Sequence, residues 1–208
     1  MKKCVITIGR QFGSGGGEIA RKTAEKLQIT CLDKELIEKS AEKSGISREA
    51  FESVDERATN SFLYSLAMSS YGGQLSAVGN TDIVLSDRLF SVQSEIIRKA
   101  AQESSCIIIG RCADDILSKT EKILRVFIYA PLDVRVSRIA LQHDISEANA
   151  KTLIKKTDKK RASYYNFYTS KNWGSIDNYD LSIDSSVLGV DDTAELLCKF
   201  AEMKFAVK

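Results

Sequence analysis

Five short apolar runs punctuate the chain, and amphipathic stretches separate them. The runs are Cys4 to Ile8, Ile29 to Leu32, Cys106 to Ile109, Leu124 to Tyr129 and Asp180 to Ile183. Short, nearly continuous apolar runs of this kind fit strands buried on both faces of a parallel sheet. Between them, helical periodicity predicts helices over Glu18 to Leu27, Lys34 to Ser44, Ser86 to Glu103, Leu132 to Gln142, Ser146 to Tyr165 and Asp191 to Lys204. Strands alternating with helices predict an α/β fold with a mainly parallel sheet. Ligands of such folds collect at the carboxyl ends of the strands. Gly9, Asp33, Gly110-Arg111 and Ala130-Pro131 fall at those ends.

The stretch from Asp33 to Ser105 is far too long for one crossover helix. Within it, Ser47 to Gly79 reads as a small helical insertion carrying Phe51, Phe62, Tyr64 and Tyr71, with loops at Tyr71-Gly72-Gly73 and Val78-Gly79-Asn80. A cover over the strand ends and a dimerisation element are both consistent with it.

Residues 4 to 20, CVITIGRQFGSGGGEIA, carry the clearest chemistry. A strand, a loop with Gly9, Gly13, Gly15, Gly16 and Gly17, and a helix make the layout of a phosphate cradle. Glycines let successive backbone N–H groups converge on an anion, and the helix N-terminus adds its positive dipole end. The loop nearly matches G-x-x-x-x-G-K-[ST]. Setting Gly13-Ser14-Gly15 on that pattern puts Gly16 at the lysine and Gly17-Glu18 at the hydroxyl residue, while Arg10 takes the first glycine's place. The backbone cradle is present; the lysine charge and the metal-binding hydroxyl are absent. A dinucleotide reading, Gly15-x-Gly17-x-x-Ala20 with Asp33 as ribose-binding acid, is weaker, because that fingerprint starts at the strand end and Gly15 lies well beyond Ile8.

Composition narrows the class. The chain has 208 residues, 43% hydrophobic and 28% charged, which suits one folded core domain with an insertion. A net charge of +2 offers no broad nucleic-acid footprint. Five cysteines without a C-x-x-C pair read as buried, reduced thiols of a cytoplasmic protein. His143 is the single histidine, so a zinc site or a Ser-His-Asp triad has almost nothing to build on. No run has the length of a signal segment or a membrane span.

A basic arm follows the predicted helix start at Ser146. Lys155-Lys156-Thr157-Asp158-Lys159-Lys160-Arg161 leads into Tyr164-Tyr165-Asn166-Phe167-Tyr168 and Trp173. A closing arm of cations and aromatics brings positive charge to a phosphoryl group and expels water. Alone, such a face is usually solvated.

Four segments, in order, resemble the cytidylate kinase-like family of P-loop nucleoside monophosphate kinases. They are ITIGRQFGSGGGEIA with LDKELI, IIIGRCAD with RVFIYAPLDVRVSRI, KKTDKKRASYYNFYTSKNW and NYDLSIDSS. The resemblance is to the branch whose glycine loop also lacks the standard lysine. It implies a P-loop three-layer α/β sandwich with a five-stranded parallel sheet. One domain would span residues 1–208, with the insertion at about 47–79 and a lid at about 155–175. It further implies transfer of the ATP γ-phosphate, with Mg2+, to a nucleoside monophosphate such as CMP.

Carried onto this chain, the resemblance gives Gly13, Ser14, Gly15, Gly16, Gly17 and Glu18 to the donor phosphates. Either Arg10 or Arg21 would supply part of the missing lysine charge. Asp33 would lie beside the acceptor or Mg2+. Arg111 matches the arginine that contacts the acceptor; the next position, which helps read cytosine, is Cys112, with Asp114 nearby. Asp158 and Arg161 would face the phosphates as lid residues. Arg135 and Arg138 lie on the helix leading to the lid, where an exposed face is equally consistent. A nucleotide-binding module with little catalysis and a kinase for a non-nucleotide acceptor remain the alternatives. The expected partner is a small-molecule substrate, with no nucleic acid, no membrane and a possible homodimer.

Overall fold

The computed structural model describes residues 3–33, 78–120 and 122–206. Among these residues, five strands form one sheet: β1 (Val5–Arg10), β2 (Thr30–Leu32), β3 (Cys106–Ile109), β4 (Ile123–Tyr129) and β5 (Leu181–Asp184). Their order is β2-β3-β1-β4-β5, and every pairing is parallel. The strand neighbouring β1 on one side is therefore β3 rather than β2, unlike the dinucleotide fold's 3-2-1 order. All strand ends at Arg10, Leu32, Ile109, Tyr129 and Asp184 meet along one edge.

Among the described residues, six α-helices accompany the strands: α1 (Gly16–Leu27), α2 (Val78–Glu103), the short α3 (Ala113–Ile116), α4 (Leu132–His143), α5 (Glu147–Thr169) and α6 (Ser185–Ala206). Alternation along each strand splits the core into two layers. Ile6, Ile8, Ile107, Ile109, Leu124, Val126 and Ile128 point to the α1 and α6 side, meeting Ile19, Ala20, Leu197 and Ala201. Val5, Cys106, Ile108 and Ile123 point to the other, against Ile97 and Ala101 of α2 and Leu117. A third cluster joins α4 to α5 through Val136, Ile139, Ala150 and Ile154, with Phe12 of the glycine loop packed on it.

Three boundaries differ from the sequence expectation. Helix α2 already includes Val78, the first described residue of this stretch, so Val78-Gly79-Asn80 is helical rather than a loop; a glycine within a helix carries a modest cost that a long helix absorbs. The basic arm is part of one helix running on to Thr169, stopped by left-handed Ser170 (φ 56). Helix α6 breaks at Gly189 (φ 73), which is why the helical pattern proper starts only at Asp191. The helix expected over Lys34 to Ser44 lies outside the described residues, as does the insertion apart from Val78 and Gly79. The five cysteines are free thiols, four of them buried. No helix among the described residues is long and apolar enough to cross a membrane.

Asp180 ties the far edge of the sheet together. It accepts from the Arg125 backbone N–H (2.8 Å), from Arg125 Nη2 (2.9 Å) and from Lys204 Nζ (2.8 Å) of α6. Burial alone would raise its pKa; the bonds from Arg125 and Lys204 outweigh it and lower it from 3.8 to about 2. The ionised form is thus favoured by folding. Its contribution is whole above the ordinary carboxylate range and is lost as pH falls through about 2. Asp180→Asn is expected to lower stability at neutral pH by about 1 kcal/mol, after allowing for solvent screening. Urea unfolding of parent and variant should show the gap closing as pH falls from about 4 towards about 2.

Candidate active site

The glycine loop runs from the end of β1 into α1 across the middle of the sheet edge. Its shape is closed by local bonds. Gln11 N–H donates to Ile128 O (3.0 Å), and Ser14 N–H to Gln11 O (3.3 Å). The buried Ser14 hydroxyl donates to Gln11 O (2.9 Å) and Ile128 O (3.2 Å). The Ser185 hydroxyl, opening α6, donates to Ser14 O (2.6 Å). Ser14 therefore gives the loop its shape, with its hydroxyl directed at the protein rather than at a ligand.

Gly13 (φ 82) and Gly15 (φ 76) are left-handed, a conformation that glycine adopts without penalty. Gly15 caps α1 and offers no side chain to its first turn. Among the described residues, the N–H groups of Gly13, Gly15 and Gly17 donate to no protein acceptor. Several N–H groups together at the positive end of a twelve-residue helix form an anion cradle. Glu18, half-exposed in the first turn of α1, stands 3.9 Å from Lys22 and 4.0 Å from Arg138. The Arg138 guanidinium leans over Gly15, where a Cβ would collide with Nη1.

The loop is braced from outside by an ion pair. Arg135 Nη1 meets Asp158 Oδ2 at 2.7 Å. The two close on one residue: Asp158 Oδ1 accepts from Phe12 N–H (2.8 Å), and Arg135 Nη1 donates to Phe12 O (3.3 Å). Arg135 Nε also donates to Ala130 O (3.0 Å). Arg135 is 8% exposed, so of the two readings left open for it the exposed helix face does not hold. Asp158, expected to face the phosphates, is occupied in positioning the loop.

Arginines converge beside the loop. Arg161 Nη1 donates to Arg10 O (3.1 Å), and its guanidinium stands over the Phe12 ring at 5.6 Å. Arg111 lies in a run of three left-handed residues, Gly110, Arg111 and Cys112 (φ 70, 56 and 55). Two of these are not glycine, so the turn stores strain. Gln93 Nε2 holds it by donating to Arg111 O (3.3 Å). The turn sends the Arg111 side chain over Tyr164, 6.0 Å from its ring centre. Burial and the charges of Arg161 and Arg111 lower the Arg10 pKa from 12.5 to about 9; Asp33 and Asp158 act in the opposite sense. Arg10, Arg111, Arg161 and Asp33 thus share one electrostatic neighbourhood.

Other expected residues stand apart. Asp114 is buried, and its Oδ2 accepts from the Tyr165 hydroxyl at 2.6 Å. Burial raises its pKa, against the Tyr165 bond. Cys112 is 3% exposed, its thiol pushed up by burial and by the Asp114 and Asp115 charges. Neither stands open at the strand end. Arg21 lies on the outer side of α1, with Nη1 3.8 Å from a Cβ placed on Gly17. Among the described residues, no group of three or more His, Cys, Asp or Glu could hold a metal ion. The role of Arg135 was missed because its partners, Asp158 and Phe12, are distant in sequence. The only local signal was an arginine among apolar residues of a helix.

A parallel sheet with a glycine loop at the end of its middle strand, and arginines beside that loop, is the arrangement of a P-loop kinase-like fold. Solved structures at low identity share that fold. A shikimate kinase from Bacteroides thetaiotaomicron matches with a TM-score of 0.54 at 14% identity, covering 96% of this chain and 98% of that one. A gluconokinase from Sinorhizobium meliloti 1021 matches at 0.51 and 12%, covering 99% and 98%. An uncharacterized protein from Eubacterium ventriosum ATCC 27560 matches at 0.73 and 28%, covering 96% and 99%. The chain belongs to the cytidylate kinase-like family, whose model matches residues 5–187. It is 27% identical over 203 residues to a cytidylate kinase of Methanopyrus kandleri, covering 93% of this chain and 90% of that protein. The family relationship supports phosphotransfer as the class of chemistry.

Arg135→Ala should leave Asp158 charged and without its partner, and free the Phe12 carbonyl. The expected cost is about 3 kcal/mol in denaturant unfolding. A loss within experimental error would show that the pair does not brace the loop.

Proposed function

We propose that this protein is an ATP-dependent kinase that transfers the γ-phosphate of ATP to a nucleoside monophosphate, CMP being the first candidate. The observation that carries this reading is the meeting of a glycine cradle with Arg10, Arg111 and Arg161 at one sheet edge. The backbone N–H groups of Gly13, Gly15 and Gly17 would hold the donor phosphates. Arg111 and Arg161 would hold the acceptor phosphate and the moving phosphoryl group in line.

An acceptor phosphate oxygen forms the new P–O bond as the bond to the β-phosphate oxygen breaks, and ADP leaves. The acceptor is already an anion, so no strong general base is needed, which suits a chain with one histidine. In such chemistry, positioning and charge stabilisation do most of the work. Asp33, which follows the end of β2, would be the carboxylate that receives Mg2+. Magnesium sites commonly use one or two carboxylates with phosphate oxygens and water. When bound, the ion would neutralise charge on the phosphates.

A second reading, nucleotide binding with little turnover, is favoured by Gly16 and Glu18 standing where a lysine and a hydroxyl are usual. A kinase of a non-nucleotide acceptor keeps the same donor site. One assay separates the first reading from the other two: ADP formation from ATP and Mg2+, with CMP, dCMP, UMP, AMP and GMP offered singly, beside ATP-induced thermal stabilisation. Acceptor-dependent ADP formation is expected. Stabilisation without turnover favours the second or third reading. In an active parent, Arg161→Ala and Arg111→Ala are each expected to lower kcat by about 100-fold or more while the fold survives. Unchanged rates would remove their assigned roles.

A further inference from the structure

We propose that Arg10 supplies the phosphate-loop cation that Gly16 lacks, from the other end of the same loop, with Arg10 and Gly16 working as one exchanged pair. In G-x-x-x-x-G-K-[ST] the first position is glycine and the seventh lysine; here the first is arginine and the seventh glycine. This inference rests on the phosphate-loop reading above.

Sterics link the two positions. A Cβ built on Gly16 would lie 2.6 Å from Arg10 Cβ, 3.1 Å from Arg10 Cγ and 3.3 Å from Ile128 Cβ. The stem of Arg10 fills the place from which any residue-16 side chain would start. Further along, the arginine head lies against Gly110, where a Cβ would collide with Nη1. Gly16 and Gly110 together form a slot with the Arg10 side chain lying along it. A larger residue at either point evicts the arginine or distorts the strand ends.

Electrostatics say what the slot is for. Among the described residues, the Arg10 guanidinium donates no hydrogen bond to protein and joins no ion pair within 4.0 Å. Arg135, by contrast, has bonds to two carbonyls and a carboxylate. Arg10 is also set among like charges, Arg161 and Arg111, with Asp33 and Asp158 only partly offsetting them. With its pKa near 9 it remains a cation at neutral pH. The Arg10 side chain is part-buried, and a part-buried cation among like charges and without an acceptor is costly unless an anion completes it. The site adjoins a backbone anion cradle, so the fitting occupant is the phosphate chain of the donor. Arg21, on the outer side of α1, does not share the slot.

The test is a mutational cycle read by binding of inorganic tripolyphosphate and of ATP, by calorimetry, with thermal unfolding as the check on folding. Arg10→Ala is expected to weaken tripolyphosphate binding at least about tenfold, and turnover by about 100-fold. Gly16→Lys in the parent is expected to abolish binding or folding, because two side chains claim one place. The double variant Arg10→Gly/Gly16→Lys restores the usual arrangement and is expected to bind within about tenfold of the parent. Arg10→Ala binding as tightly as the parent would overturn the proposal, as would a folded double variant no better than Arg10→Ala. Should the double variant not fold, Arg10→Ala alone decides. A parent that binds neither tripolyphosphate nor ATP overturns the phosphate-loop reading itself, and this inference with it.

Discussion

The Arg135–Asp158 pair is the contact on which the geometry of the site depends. Three pieces of chain meet there: the glycine loop, helix α4 and helix α5. The pair takes both the N–H and the carbonyl of Phe12, so one peptide in the middle of the loop is gripped from each side. Rings and side chains from α4 and α5 then pack on Phe12 itself. An ion pair with little exposure is not by itself a large source of stability. Its value here is positional. A glycine-rich loop has many accessible conformations, and something outside it must select one.

Close approach is the second constraint. Gly15 lies beneath the Arg138 guanidinium, and Gly16 and Gly110 lie along the Arg10 side chain. In each case the missing Cβ makes room for a cation from another part of the chain. The same edge holds a left-handed Arg111 and Cys112, a strain that aims Arg111 towards Tyr164. Cationic crowding, strained backbone and a bare helix N-terminus all oppose folding to some degree. A bound polyanion relieves the first and the last, which is why the edge reads as a binding site rather than as packing.

Much of the framework was legible along the chain. Each apolar run became a strand within two residues of its expected limits, because a strand buried on both faces has to be apolar throughout. The glycine loop was legible for the same local reason: strand, glycines and helix are contiguous. Helix ends were less so. Helix α5 runs on to Thr169, past its expected limit at Tyr165, and α6 breaks at Gly189, at a positive φ that glycine adopts without penalty.

The line between sequence and tertiary structure falls at contacts between distant residues. By itself the sequence determined the α/β class, the parallel sheet, the place of the phosphate loop and the absence of its lysine, since each is a property of neighbouring residues. Only the tertiary structure decided that the Arg10 side chain lies along Gly16 and Gly110, that Arg135 is a buried brace, that Asp158 serves it, and that Asp114 and Cys112 are shut in with Tyr165 and its neighbours. An arginine on a helix looks the same in sequence whether it meets water, a carboxylate or a phosphate. Its partners are set by how the sheet order and helix packing bring residues 10, 16, 110, 135, 158 and 161 to a common edge.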